Sequence, residues 1–415
     1  MTRPLAERLN VPRPRIALYS HDTMGLGHMR RNLLIAQKLA DCPNPATVLL
    51  IAGARRATAF KLPPGADCLT LPALRKEPDG HYEARRLDMS LAQIIELRAR
   101  TVRAALRSFD PDLFLVDKEP RGAVRELDPA LEELRERGHT RCVLGLRDVL
   151  DDPAAVEREW TKAGSREAIE QFYDAVWIYG DPAVYDLVQE CRFAPELAAR
   201  ARYTGYLDQR ERLKFCGEEA ATVRPGPRDA RLVFCMLGGG QDGAALAEAF
   251  ARAELPPSYH GVMVTGPFMD PTVQQRVRDW AASRPRLEVI EFLREPIHLL
   301  VHAERIISMG GYNTTCEALS LGKRALIVPR VRPRTEQLIR ATTLQRLGLV
   351  DMLHPDRLSP EALSAWLASD TGPPPVARGR IDMGGLDRLP GFVSELLGSE
   401  RLASMAAEKG AGVAR

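Results

Sequence analysis

The sequence has no apolar run long enough to cross a membrane. Its longest such run lies around Val48–Ala52, far short of the roughly 20 apolar residues that a membrane-spanning helix needs. Met1–Arg15 contains arginines and prolines but no apolar stretch, so no signal peptide is predicted. We therefore expect a cytoplasmic protein, and peripheral contact with the inner face of a membrane is left open.

Cysteines are few and isolated. The seven lie at positions 42, 68, 142, 191, 216, 235 and 316, and no two form a Cys-x-x-Cys pair. This spacing predicts neither a zinc site nor a redox motif. An odd, unpatterned set of thiols is also typical of a protein in the reducing cytoplasm.

An excess of charge of one sign is missing as well. The 58 lysines and arginines nearly balance the 55 aspartates and glutamates, which leaves a net charge of +3. Nucleic-acid-binding proteins usually have a concentrated basic excess, so no nucleic-acid partner is predicted. Arginine-rich stretches such as Asp88–Ser108 are interpreted as solvated surface, with contact to anionic lipid as the alternative.

What the sequence does have is a regular alternation of short apolar runs and amphipathic stretches. Runs such as Phe114-Leu115-Val116 are apolar throughout, which is typical of parallel strands buried on both faces. The alternation predicts βαβ units and an α/β fold with doubly wound sheets. The predicted strands are Arg15–Ser20, Ala46–Ile51, Asp67–Thr70, Asp112–Val116, Arg141–Leu146, Ala175–Tyr179, Arg231–Leu237, Gly261–Thr265, Leu287–Ile290, Arg305–Ser308 and Arg324–Val328. The main predicted helices are Met29–Ala40, Asp88–Ser108, Pro129–Arg137, Pro153–Phe172, Ala244–Ala253 and Leu386–Leu397.

The length of 415 residues suits two domains of about 200 residues each. We predict an N-terminal Rossmann-like domain over residues 1–208 and a C-terminal Rossmann-like domain over 231–371. The turn-rich, charged segment 209–230 is interpreted as a linker. Residues 372–415 are predicted to form a Pro-rich break, one last helix and a frayed tail.

The first predicted strand leads into a glycine-containing loop. Gly25 and Gly27 form a tight strand-to-helix turn at the carboxyl edge of the sheet, where α/β proteins bind ligands. Arg30 stands where a dinucleotide-binding fingerprint needs a small residue, so that interpretation is weak. His28 begins the helix, where the dipole favours a neutral imidazole that can act as a base. A capping or packing role for His28 is the alternative.

A second glycine loop, Gly238-Gly239-Gly240-Gln241, lies between an apolar strand and a helix. Three consecutive glycines let main-chain N–H groups approach an anion, and the helix N-terminus adds positive potential. The loop lacks the Gly-Lys-Ser/Thr of a Walker P-loop. An ordinary tight turn is the alternative.

Two further segments follow the same strand-to-helix pattern. Gly310 and Gly311 precede a helix that contains Glu317, whose carboxylate could accept both hydroxyls of a ribose diol. Glu336 and Gln337 begin the next helix and could hold sugar hydroxyls. Each polar residue alone would be an ordinary helix residue.

Taken together, these segments resemble the C-terminal domain of GT-B glycosyltransferases, in particular glycosyltransferase family 28 and the group around the lipid II N-acetylglucosaminyltransferase. In that group a Gly-Gly-Ser-Gln-Gly loop, a Ser-Gly…Glu helix and a Gln-Gln pair bind a uridine diphosphate sugar. The likeness covers about residues 231–350 and, in the first half, the loop that ends at His28. The stretches Val116–Pro120 and Leu146–Asp152 look more like an uncharacterised branch of predicted bacterial glycosyltransferases.

The sequence departs from that family at two positions. Gly240 stands where a serine is expected near the phosphates, and Glu336 replaces the first glutamine of the pair. Both departures leave the sugar preference open. Gly310–Thr314 is also similar to the Gly-Gly-x-Asn-Ser/Thr segment of small-molecule glucosyltransferases.

The resemblance implies two Rossmann-like domains that face each other across a cleft. It implies an inverting transfer, without metal or cofactor, from a nucleotide diphosphate sugar such as UDP-N-acetylglucosamine to a hydroxyl of a small-molecule or lipid-linked acceptor. His28 is the first candidate for the base, and Asp148 and Asp117 follow. The donor-binding residues expected from the resemblance are Gly238, Gly239, Gly240, Gln241, Gly310, Gly311, Asn313, Thr314, Glu317, Glu336 and Gln337. Those expected to hold the acceptor or a phosphate are Gly25, Gly27, Arg30 and Arg147.

Two other functions are left open. A UDP-sugar 2-epimerase has the same two-domain fold and donor site, and usually carries several carboxylates around the sugar. A non-catalytic nucleotide-sugar-binding protein is the other alternative. No feature of the sequence indicates an oligomeric state.

Overall fold

The chain folds around two parallel β-sheets, one in each half. The computed structural model describes residues 13–21, 27–53, 60–76, 82–215, 224–369, 372 and 374–398. Both sheets carry helices on their two faces, which confirms the predicted α/β, doubly wound class. No helix in these ranges is long and apolar enough to cross a membrane.

The N-terminal sheet contains seven parallel strands. In their spatial order they are β3 (Ala66–Thr70), β2 (Thr47–Ala52), β1 (Arg15–Ser20), β6 (Leu113–Asp117), β7 (Arg141–Arg147), β8 (Ala175–Tyr179) and β9 (Ala201–Tyr203). A separate antiparallel hairpin consists of β4 (Leu74–Lys76) and β5 (Tyr82–Ala84). The helices of this half are α1 (Gly27–Ala40), α2 (Leu91–Phe109), α3 (Asp128–Arg137), α4 (Pro153–Ala163), α5 (Ser165–Phe172), α6 (Leu187–Glu190) and α7 (Pro195–Arg200).

The C-terminal sheet contains six parallel strands. In spatial order they are β12 (Leu287–Ile290), β11 (Tyr259–Val264), β10 (Arg231–Met236), β13 (Ala303–Ser308), β14 (Arg324–Ile327) and β15 (Asp351–Met352). Its helices are α8 (Ala244–Arg252), α9 (Pro271–Ala282), α10 (Ile297–Leu300), α11 (Tyr312–Ser320), α12 (Glu336–Arg346) and α13 (Pro360–Ala368). The last helix, α14, spans Gly385–Leu397, and a 3₁₀ segment, Gln209–Phe215, lies between the halves.

The strand order reverses direction once in each sheet, between β1 and β6 and between β10 and β13. Loops that follow neighbouring strands diverge at such a point and leave a crevice outside the carboxyl ends of the strands. In register, Tyr19 of β1 is paired with Val116 of β6, and Met236 of β10 with Ser308 of β13. The loops predicted to bind ligands follow these strands. The topology therefore brings the predicted loops of each sheet to the crevice of that sheet.

The long apolar strands were predicted within one or two residues, whereas short edge elements were missed. Phe114, Leu115 and Val116 are fully buried, as expected for a strand covered by helices on both faces. The missed elements are the β4–β5 hairpin, β9 and β15, each of only two or three residues. The predicted helix over 153–172 is instead two helices, because Gly164 adopts a left-handed conformation with φ of 63° and ends the first one.

The last helix packs against the N-terminal half rather than the C-terminal half that precedes it in sequence. The main-chain N–H of Tyr206 donates to Asp382, and that of Gly385 donates back to Tyr206. Phe392 of α14 contacts Trp177 of the N-terminal sheet at a ring separation of 5.9 Å. The chain therefore crosses between its two halves twice.

A buried ion pair joins the two halves between their sheets. Arg340 of α12 donates from Nε and Nη2 to both carboxylate oxygens of Asp148, at 2.6–3.1 Å, and both side chains are 1% exposed. Tyr206 also donates to Asp148, and Arg340 Nη1 donates to the carbonyl of Gly310 at 3.1 Å. The carboxylate is thus fully partnered, and the pair holds Gly310 to the N-terminal half.

We expect Arg340→Met to lower the free energy of unfolding by about 3–5 kcal/mol, because it leaves the Asp148 carboxylate buried without its cation. Urea unfolding followed by circular dichroism measures the loss. Arg100→Met is the matched control, since the Arg100 side chain is 80% exposed and forms an ion pair with Glu96 on its own helix; it should change the free energy by about 0.5 kcal/mol or less. Equal losses in the two variants would contradict a structural role for the buried pair.

Candidate functional site

The two crevices face each other and form one cleft with a cavity volume of about 230 Å³. Both halves contribute to its walls. The N-terminal half supplies Gly27, His28, Arg30, Arg31 and Arg147, and the C-terminal half supplies the glycine loop, the start of α11 and an apolar wall. Apart from Gly25, which lies outside the described residues, the predicted glycine loops therefore meet at this cleft.

The glycine loop after β10 has a main-chain shape that only glycine suits at one position. Gly240 has φ of 92°, and a Cβ atom there would lie 2.4 Å from the carbonyl oxygen of Thr265. Gly238 also has positive φ, 61°, but nothing lies within 4 Å of where its Cβ would be. Gly240 is therefore favoured both by its positive φ and by the close approach of Thr265, whereas at Gly238 only the positive φ favours glycine.

Main-chain N–H groups line one wall of the cleft. Those of Gly238, Gly239 and Gly311 donate no hydrogen bond to any other described residue. Gly311 precedes α11, whose N-terminus has no side-chain cap. Free N–H groups at the positive end of a helix dipole attract an anion. This wall can hold a phosphate group.

The start of α11 is also tied to the N-terminal half. Asn313 Nδ2 donates to the carbonyl of Gly27 at 2.9 Å, across the cleft. Thr314 lines the cleft beside it. Both residues were predicted to bind the donor. In the structure Thr314 lines the cleft, and the Asn313 amide is hydrogen-bonded to the opposite half.

The far wall is apolar and was not predicted from the sequence. Its rings and aliphatic groups offer a surface on which a flat heterocycle can stack. Its residues come from the end of β11 and from the loops after β11 and β12. They are Val264, Pro267, Phe268, Phe292, Leu293 and Pro296. The only sequence signal was the presence of Phe and Pro in loops that follow strands.

On the N-terminal side, His28 is held by a buried carboxylate. Its Nδ1 is hydrogen-bonded to Asp117 Oδ2, and Asp117 is fully buried at the end of β6. Arg31, one turn along α1, donates to both oxygens of Asp117 at 2.7–2.9 Å. Arg31 Nη2 also lies 3.1 Å from His28 Nδ1. Because Nδ1 carries a hydrogen that it donates to Asp117, it cannot also accept a hydrogen bond from Arg31. The network thus assigns the proton to Nδ1 and leaves Nε2 as an acceptor without a partner among the described residues.

The charges of this cluster fix its protonation state. Burial opposes ionisation of Asp117, but Arg31 and His28 outweigh it and hold the pKa of the carboxyl well below its usual range. Burial lowers the pKa of His28, against the attraction of Asp117. The imidazole is therefore neutral near pH 7 and can accept a proton at Nε2. His21 lies beside it, with ring centroids 4.7 Å apart, and burial lowers its pKa as well.

Arg147 is a cation in the cleft wall, and no carboxylate of the described residues forms an ion pair with it. It ends β7, lines the cleft, and its buried Nε has no hydrogen-bond partner among the described residues. Burial lowers the pKa of Arg147 to about 10, although nearby Glu336 acts in the opposite direction. The group still carries a full positive charge at pH 7, so the site favours an anionic ligand.

Several other predicted residues are bound to the protein itself or lie outside the cleft lining. Asp148 is enclosed by Arg340, which argues against its role as a base. Glu336 is 3% exposed and accepts from Arg330 at 2.6 Å. Gln337 accepts from the main-chain N–H of Arg330. Glu317 accepts a hydrogen bond from Arg30, which covers it. Gln241, by contrast, is exposed and does not line the cleft.

Comparisons with known proteins give the same architecture and a family for part of the chain. Residues 235–375 match the model of the glycosyltransferase family 28 C-terminal domain. The chain has the GT-B fold, with a family 28 C-terminal domain. No curated protein matches the chain. This domain match confirms the predicted enzyme class, a glycosyltransferase, and the predicted likeness of the C-terminal half to family 28.

Solved structures resemble nearly the whole chain. The glycosyltransferase SnogD from Streptomyces nogalater has 18% identity over 96% of this chain and 99% of its own, with a TM-score of 0.52. UGT89C1 from Arabidopsis thaliana, complexed with UDP-L-rhamnose, has 16% identity over 93% and 100%, with a TM-score of 0.58. A putative UDP-N-acetylglucosamine 2-epimerase from Listeria monocytogenes has 14% identity over 94% and 98%, with a TM-score of 0.60. At these identities the likeness establishes the fold.

We expect Gly240→Ala to destabilise the protein more than Gly238→Ala. Both substitutions force alanine into a left-handed conformation at a cost of about 1–2 kcal/mol. Only at Gly240 must main-chain atoms of the neighbouring loop also move, which should add about 1–3 kcal/mol. Thermal and urea unfolding of the two variants measure the difference. An equal loss in both would show that the close approach to Thr265 imposes no constraint.

Proposed function

We propose that the protein transfers a sugar from a nucleotide diphosphate donor, such as UDP-N-acetylglucosamine, to a hydroxyl group of an acceptor. The observation that carries this proposal is the pairing of two features across one cleft. A neutral histidine held by a buried carboxylate faces, from the other half, a wall of unpaired N–H groups. The first suits removal of a proton from a hydroxyl, and the second suits a diphosphate.

The donor is assigned to the C-terminal half. Its diphosphate would lie against the N–H groups of Gly238, Gly239 and Gly311, and its base against the apolar wall that contains Phe268 and Phe292. A uridine diphosphate sugar is favoured by the family 28 domain, and three solved structures of this fold are named as complexes with UDP or a UDP-sugar. Glu317, Glu336 and Gln337 remain proposed partners of ribose or sugar hydroxyls.

The acceptor is assigned to the N-terminal half, where its hydroxyl would approach His28. Nε2 takes the hydroxyl proton while the acceptor oxygen forms a bond to the anomeric carbon. On the opposite face, the bond from that carbon to the β-phosphate oxygen breaks and nucleoside diphosphate leaves. Displacement from the opposite face inverts the anomeric configuration. Asp117 holds the imidazole in the required tautomer and stabilises its positive charge, as a carboxylate does in other histidine bases.

The leaving diphosphate gains negative charge as the bond breaks. Preorganised N–H groups and a helix N-terminus stabilise such charge without reorganisation, which is the basis for proposing a metal-independent reaction. Arg147 adds a full positive charge from the opposite wall. Its position also suits an anionic group of the acceptor, so both roles are assigned to the same cation.

The proposed acceptor is a small molecule or a lipid-linked molecule with a free hydroxyl. We propose a cytoplasmic location, with contact at the membrane surface if the acceptor is lipid-linked. No nucleic-acid partner is expected, because basic residues are balanced by acidic ones throughout the chain.

A UDP-sugar 2-epimerase is the second candidate, because solved structures with that name share the fold. Carboxylates around the sugar would support it. Among the described residues that line the cleft there is none: the titratable side chains there are one histidine, three arginines and one tyrosine. Glu317 and Glu336 lie behind this lining and are paired with Arg30 and Arg330. This composition favours transfer over epimerisation. A non-catalytic sugar-nucleotide-binding protein is disfavoured by the oriented His28–Asp117 pair.

We expect UDP-sugars to raise the melting temperature more than GDP- or TDP-sugars, because a ligand that binds only the folded state stabilises it by mass action. Incubation of the purified protein with the stabilising donor then separates the candidates. Release of UDP, slow with water and faster with a hydroxyl acceptor, supports transfer. A new sugar nucleotide without free UDP supports the epimerase, and binding without turnover supports the binding protein.

We expect His28→Ala to lower kcat by about 10²–10⁴-fold with UDP affinity nearly unchanged, because the base is lost and the donor wall is intact. Asp117→Asn should also lower kcat, through the wrong tautomer. Since burial lowers the pKa of His28, activity should persist below pH 6.5 and fall only as His28 becomes protonated at more acidic pH. Exposed His302 provides the control variant His302→Ala. Wild-type turnover in His28→Ala would exclude it as the base.

A further inference from the structure

The carboxylate expected to bind the donor's ribose is already occupied from the other half of the molecule. Glu317 is fully buried in α11, and its Oε1 accepts a hydrogen bond from Arg30 Nη2 at 2.6 Å. Arg30 belongs to α1 in the N-terminal half, 287 residues away in sequence. Glu317 Oε2 is buried without a hydrogen-bond partner among the described residues. One oxygen is therefore paired across the cleft, and the other is unsatisfied.

The Arg30 side chain lies between Glu317 and the cleft. Arg30 lines the cleft and its side chain is 15% exposed, whereas Glu317 is not part of the lining. A ligand in the cleft consequently meets the guanidinium of Arg30 before it meets the carboxylate. Two hydroxyl groups on neighbouring carbons could reach both oxygens of Glu317 only after that guanidinium has moved.

A second cation makes this movement feasible. Arg212, 2% exposed in the segment between the halves, has Nη1 at 3.7 Å from Glu317 Oε1. When Arg30 leaves, the carboxylate still has a positive charge beside it and gains two hydroxyl donors. Loss of one charge-assisted hydrogen bond is then offset by two new ones, one of which satisfies the unpartnered Oε2.

We propose that Arg30 acts as an internal competitor of the donor at Glu317: donor binding exchanges the Arg30 guanidinium for the vicinal hydroxyls of the ribose. The inference rests on the proposed function, because it requires a nucleotide donor in the C-terminal half. The exchange places an unpaired guanidinium two residues from His28 only when donor is present. Once the donor is bound, Arg30 can therefore attract an anionic group of the acceptor near the hydroxyl that reacts.

Isothermal titration of the full-length protein with UDP tests the competition. We expect Arg30→Met to bind UDP about fivefold or more tightly than wild type, a coupling typical of two ligands that compete through one group. The tightening should disappear with 2′,3′-dideoxy-UDP, which lacks both hydroxyls. Arg334→Met is the matched control, since Arg334 pairs with Glu159 across the halves at 2.7 Å and is not in contact with Glu317; it should change UDP affinity by less than twofold.

Three results would overturn the inference: weaker or unchanged UDP binding by Arg30→Met, equal tightening with dideoxy-UDP, or equal tightening in Arg334→Met. The second would indicate a general charge effect, and the third a loosening of the two halves. Arg30→Gln, which retains a polar side chain, replaces Arg30→Met if circular dichroism shows the latter to be unfolded. Failure of wild type and both variants to bind any nucleotide would instead overturn the proposed function.

Discussion

Asp148 and Arg340 form the contact on which the geometry of the cleft depends. Each comes from a different half, each is almost completely buried, and each has its hydrogen-bonding groups satisfied by the other and by close neighbours. Asp148 directly follows Arg147 in the sequence, and Arg340 reaches the carbonyl of Gly310. The ion pair thus helps to fix the distance between Arg147 in one wall of the cleft and the loop at Gly310 in the other. Because a buried charge without its partner is costly, separation of the halves at this point is strongly opposed.

The parts of the fold that depend on local sequence were predictable. Continuous apolar strands and amphipathic helices have characteristic periods, and glycine at the end of a strand predicts a tight turn into a helix. These signals located most strands and three of the loops that line the cleft. Short edge strands such as β15 carry too few residues for a period to be recognised.

The parts of the site that depend on tertiary contacts were not predictable. His28 was the first candidate base, but nothing in its neighbourhood in sequence indicates that Asp117 would hold its Nδ1. Asp148 was a candidate base because it follows a predicted strand. Its carboxylate instead forms a buried ion pair with Arg340, which is 192 residues away in the sequence. Glu317 and Arg30 were both singled out, but for separate partners. A single sequence contains residue types and spacings, whereas the pairing of charges across two domains appears only when the sheets face each other.

The route of the chain after the C-terminal sheet affects how such proteins can be recombined. Because α14 packs on Trp177 and is hydrogen-bonded around Tyr206, the folding unit of the N-terminal half is made from two separate stretches of sequence. A chimaera that exchanges everything after the linker between two homologues would set a foreign helix against the wrong surface. Exchange of donor specificity by domain grafting must therefore cut the gene twice, once before β10 and once before α14, so that the helix stays with its original sheet.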